Sequence, residues 1–176
     1  MMENNQTVSK FAINPGLMLG GVLILISVIT YIIGLDPIEN SWIGWMSYAV
    51  MAVAFFYFQK EYRDNQNDGF LSLGEAVKLG VTIAVIAGTL AALYNVIFIL
   101  YIEPGFVDKM LLKVEEQMLE ASPDMAQSQV DMALGMTRKM MSPYISVPLA
   151  IVTNALSGLI LSLATGLINK KDNPSF

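Results

Sequence analysis

Few residues inside the apolar parts of this 176-residue chain can do chemistry, and none of them is charged. Among them are two amides, Asn95 and Asn154, and the hydroxyls of Thr153, Ser157 and Ser162. An amide can hydrogen-bond a substrate or a neighbouring helix. A hydroxyl becomes a nucleophile only beside a base. The chain has no Cys and no His, which removes disulfides, thiolate and imidazole catalysis and the usual ligands of zinc, haem and iron–sulfur clusters. Carboxylates remain as ligands for magnesium or calcium, but they lie between the apolar runs. With no Asp, Glu, Lys or Arg in mid-run there is no charged group to carry a proton across and none to activate Ser157 or Ser162. The reading is therefore not an enzyme, with no catalytic, metal or cofactor-binding residue assigned. A net charge of −5 and the lack of a basic stripe argue against nucleic acid as a partner.

These groups must be positioned by four uncharged runs, 11–35, 40–59, 79–102 and 140–169. Hydrophobic residues make up 55% of the chain and charged ones 14%, and the charges are segregated between the runs. Such segregation marks a chain solvated by lipid. Each run is long enough to cross a hydrocarbon core of about 30 Å, which takes about 20 helical residues. Only helix satisfies the backbone of a single segment there. The expected fold is all-α: an integral membrane protein with four transmembrane helices in a bundle, about 14–35, 41–59, 76–102 and 143–168. An amphipathic segment, 103–141, lies between helices three and four, and 1–176 form a single transmembrane domain.

Boundary signals sharpen this picture. Asn14-Pro15 reads as the start of the first helix and Asp36-Pro37 as lying just past its end. Trp42, Trp45 and Tyr48 at one end of the second run, with Tyr57, Phe58 and Tyr62 at the other, resemble interfacial belts. Pro148 is expected to kink the fourth helix. The first run is too long for a signal peptide and is followed by Asp36-Pro37 instead of a small-residue cleavage site, so it reads as a retained helix. Between helices three and four, Phe106, Met110, Leu111, Val114 and Met118 recur at helical spacing opposite Asp108, Glu115, Glu116 and Glu120. A second amphipathic helix follows Ser122-Pro123-Asp124. The pair either lies on the membrane surface or folds into a hairpin, against lipid or protein. With a cytoplasmic N-terminus, six of the ten Lys and Arg residues fall inside, which favours both termini in the cytoplasm.

Small residues give the most regular pattern. Ser146, Ala150, Asn154, Gly158, Ser162 and Gly166 recur every fourth position, as do Gly80, Ala84, Gly88 and Ala92, with Gly16 and Gly20 in the first helix. Such stripes let helix backbones approach closely in lipid. Packing within one chain is the expectation over a dimer interface. Asn95 and Asn154, on antiparallel helices, are candidates for a cross-helix hydrogen bond or for a polar path.

Ahead of the third run, Ser72-x-x-Glu75 has the form of a capping box and Asp68-Gly69 that of a turn. The stretch Asp68-Gly-Phe-Leu-Ser-Leu-Gly-Glu-Ala-Val-Lys-Leu-Gly80 resembles an uncharacterised family of bacterial membrane proteins, domain of unknown function 4199. The order of the apolar runs and the polar insert before the last are similar too. The resemblance implies a four-helix protein of a bacterial cytoplasmic (inner) membrane, with no activity, cofactor or catalytic residue to carry over. The functional expectation is a non-catalytic accessory, scaffold or assembly subunit acting through helix packing, with membrane lipids and either its own copies or a larger complex as partners. The alternative is a small homo-oligomeric transporter or channel with a path along Asn95, Thr153, Asn154 and Ser157.

Overall fold

A computed structural model describes residues 7–35 and 40–172. Asp36-Pro37 and Glu39 lie outside the described residues. Among those described, the chain is all-helical: α1 (Val8–Ile32), α2 (Trp42–Gln66), α3 (Leu73–Ile102), α4 (Phe106–Ala121), α5 (Gln127–Met140) and α6 (Pro143–Asn169). Three of these, α1, α3 and α6, are long and apolar enough to cross a membrane. The sequence expectation of four is met in part. Helix α2 has 25 residues, but Trp, Tyr and Gln dilute its apolar part and its last turns are charged.

Apolar runs and helices do not share ends. Helix α1 starts at Val8, not Asn14, with a hitch at Ala12 between its first turn and Ile13. Pro15 has no N–H to give the Phe11 carbonyl, which accounts for the hitch. The helix stops at Gly34, whose φ of +73° suits a residue without a Cβ. Leu35 N–H bonds the Thr30 carbonyl (2.9 Å) and Gly34 N–H that of Tyr31 (3.0 Å), a Schellman motif. Helix α2 runs seven residues past Gln59, because Lys60 to Gln66 are permissive helix formers and Tyr62 is buried against α1. Helix α3 closes in a wide turn, Phe98–Ile102, with Glu103 N–H on the Phe98 carbonyl (2.8 Å). Pro104 forces the end, since the residue before a proline is driven out of the helical region and Glu103 sits at φ −138°. Helix α6 continues unbroken through Pro148.

Packing divides the chain into two compact units, one of residues up to Ala91 with those from Ile151 onward, the other Ala92–Ala150. In the first unit, α1 and α2 are antiparallel: the Phe11 and Tyr62 rings meet edge-on at 5.2 Å. Gly16 of α1 faces Ile86 and Gly20 faces Leu90, so α1 and α3 run parallel. Helix α6 runs antiparallel to α3. Phe55, Leu71, Leu79 and Ile83 are fully buried in the core. In the second unit, α4 and α5 fold back on each other, burying Leu111 and Val130. Arg138 of α5 reaches Asp108 of α4 at 2.6 Å, and Lys109 pairs with Glu103. The two helices thus form the hairpin that the periodicity allowed.

Candidate functional site

The small-residue stripes meet each other. A Cβ added at Gly88 would stand 2.6 Å from Asn154 Cγ, one at Gly158 2.5 Å from the Ala84 Cβ, and one at Gly166 2.8 Å from the Ala76 Cβ. One at Gly80 would overlap the Ser162 Cβ. The pairs 76/166, 80/162, 84/158 and 88/154 keep one register, each step of four on α3 matched by four back on α6. Glycine is needed because a Cβ at these positions would overlap the side chain that the facing helix already places there. Ala92, buried, and Ala150, half-buried, belong to the other unit. Thr153 is exposed, on the outside of α6.

Sequence reasoning missed a polar layer at the end of this seam. Gln59, fully buried, donates to the Ala76 carbonyl of α3 (3.3 Å) and the Ser162 carbonyl of α6 (3.2 Å). Its own carbonyl oxygen accepts from the Asn169 amide (3.2 Å), which also donates to the Phe56 carbonyl (3.0 Å). One carboxamide thus ties three helices with every polar atom used. Arg63 donates to the Asn169 carbonyl at 3.0 Å, satisfying the last turn of α6, and pairs with Asp64 at 2.6 Å. That hydrogen bond holds the Asp64 carboxyl below the usual carboxylate range.

Beside this layer lies the 67–75 loop. Asp68 and Gly69 both have positive φ (+51° and +82°), and Phe70 N–H bonds the Asn67 carbonyl at 2.8 Å. Two positive-φ residues are the signature of a type I′ turn, which Asp-Gly favours. Glu75 accepts from the Ser72 N–H (2.9 Å) and donates its own N–H to Ser72 Oγ (3.2 Å). Leu71 and Lys171 exchange backbone hydrogen bonds of 2.9 and 3.0 Å, pinning the segment after α6 to this loop. A cleft of about 690 Å³ lies here, lined by Asp68, Phe70, Glu75 and Lys171 among others.

These connections fall within the stretch matched by one family model, described as "Protein of unknown function (DUF4199)", over residues 14–171. The chain belongs to the DUF4199 family. No curated protein and no solved structure matches it. In this DUF4199 chain the second unit holds a different kind of site. A cavity of about 410 Å³ is walled by Ile99, Phe106 and Met140 and carries the polar groups of Asn95, Thr137 and Ser146. The structure therefore brings Asn95 together with Ser146, while Asn154 packs on Gly88. Asn154 meets α3 at Gly88, seven residues before Asn95 in the chain.

Proposed function

We propose that this DUF4199 protein is a four-span protein of a bacterial cytoplasmic membrane that serves as a non-catalytic accessory, scaffold or assembly subunit. Four spans are supported by direction. If α1 crosses, the Phe11–Tyr62 contact requires α2 to return, or the two rings would lie on opposite faces. The Leu71–Lys171 bridge makes the same demand of α3 and α6. Lys10, Lys60, Arg63, Lys78, Lys170 and Lys171 then share one face, which favours the cytoplasm for both termini.

The accessory role is carried by how the first unit uses its polar and small residues: Gly80, Gly88, Gly158, Ser162 and Gln59 are all consumed by helix contacts. What the molecule offers outward is surface, including Leu112, Met132 and Met136 on the hairpin, each more than 60% exposed. A transporter is the weaker reading, because Asn154 is seated on Gly88 and Thr153 faces outward. Native mass spectrometry of the tagged protein, extracted gently at its own expression level, tests the role. A stoichiometric foreign membrane protein is the expected companion. A homo-oligomer that conducts solute in liposomes would replace this reading with the transporter, and a lone monomer would remove both.

A further inference from the structure

The cavity of the second unit is built for a ligand in a way the first unit is not. Asn95 lies six residues before Tyr101 and Ser146 two after Tyr144. Those tyrosines are 79% and 92% exposed, as expected of rings at the headgroup level. At 1.5 Å per residue the amide sits about 9 Å deeper than Tyr101 and the hydroxyl about 3 Å deeper than Tyr144. That is the layer where the glycerol esters of a bilayer give way to acyl chains. Neither side chain has a hydrogen-bond partner among the described residues, although Thr137 beside them donates to the Ala133 carbonyl at 2.9 Å. An amide left unpaired at that depth costs free energy that a carbonyl from outside the chain would recover. The remaining walls are apolar and the lining bears no charge, so the site suits a neutral acceptor attached to an alkyl chain. Its volume of about 410 Å³ lies within the usual range of ligand pockets. Ile97, Leu100, Ile145 and Leu149 nearby in the chain are exposed aliphatics that acyl chains must cover, so bilayer lipid is already alongside.

The geometry points to a phospholipid-binding site at the base of the hairpin. Asn95 and Ser146 donate to an ester carbonyl, Ile99, Phe106 and Met140 enclose the first part of the acyl chain, and the phosphate stays at the level of Tyr101 and Tyr144. This rests on the membrane placement proposed above but not on the accessory role.

The test uses the full chain, purified from membranes, and a phosphatidylethanolamine bearing a diazirine near its ester. Photolabel is expected at Ile99, Phe106 and Met140, in competition with unlabelled phosphatidylethanolamine. Asn95→Leu should lower it at least five-fold and Leu112→Ala, on the outer hairpin, should not change it. Ser146→Ala supplies a second, milder loss should Asn95→Leu fail to fold. Label spread evenly over Leu149 and Val152 would overturn the assignment. So would label indifferent to both cavity variants, or displacement by free monoacylglycerol but not by phospholipid. Loss of the protein from the membrane fraction would instead strike the membrane placement itself.

Discussion

Helices α3 and α6 are each built in two ways along their length. Between Ala76 and Gly88, and between Asn154 and Gly166, small residues bring two backbones together with no room for a methyl group. From Ala92 to Ile102 and from Pro143 to Ala150, the same two helices carry larger side chains and bring the polar groups of Asn95 and Ser146 to a cavity. The composition differs for a physical reason. In lipid there is no hydrophobic force between helices, so a closed seam needs dispersion over many close contacts. The wide turn of Phe98–Ile102 and Pro148 both fall in this second part. The closed half has a structural use and the open half has space to bind.

The largest effect should come from forcing the seam. Gly80→Leu places a side chain where the Ser162 Cβ already stands, so α3 and α6 must part. Loss of about 3 kcal/mol is expected, read as a fall in thermal midpoint in detergent. A normal midpoint would mean that the two helices are not held at this register.

Next in size is the polar layer. Gln59→Leu removes one carboxamide that serves three helices and leaves the Asn169 amide with the Phe56 carbonyl alone, at a cost of about 1–2 kcal/mol. Asn95→Leu removes an amide with no hydrogen-bond partner among the described residues, and in lipid-free detergent its midpoint should stay within about 0.5 kcal/mol of wild type. If both substitutions cost the same, the contrast between the two regions is lost.

The sign should reverse on the hairpin. Gly135 lies inside α5, and a Cβ there meets nothing within 4 Å. Gly135→Ala should therefore stabilise by about 0.5–1 kcal/mol through the unfolded chain, seen as slower proteolysis of the hairpin.

How much of this was legible in the sequence varies with the kind of force. The four helices that contain the apolar runs and the hairpin periodicity were readable, since lipid and water sort residues by type. The helix ends were not: Val8 and Gln66 are set by hydrogen bonding and by the Phe11–Tyr62 contact, which hydropathy does not report. Gly34, in contrast, was a usable stop signal that the Asp36-Pro37 pair obscured. Gln59 read as the edge of an apolar run because a single amide has no pattern; only the register of α2 against α3 and α6 shows what it holds. The stripes announced that helices touch, but depth counted from Tyr101 and Tyr144 could not tell which residue of α3 Asn154 meets.

The smallest effect belongs to the surface of the closed unit. Asp64 is exposed and its partner Arg63 is its chain neighbour, so the pair is open to water and salt even though α6 ends on the same guanidinium. Arg63 lowers the folded-state pKa of Asp64, so the contribution is present above the ordinary carboxylate range, near 4, and disappears as pH falls through the lowered value. Asp64→Asn should thus lower the midpoint slightly at neutral pH, lose that effect in strong acid, and lose it also in about 1 M salt. A deficit that persists in acid would show that Asp64 acts by positioning Arg63 on the Asn169 carbonyl, which would make the pair part of the polar layer and not a feature of its surface.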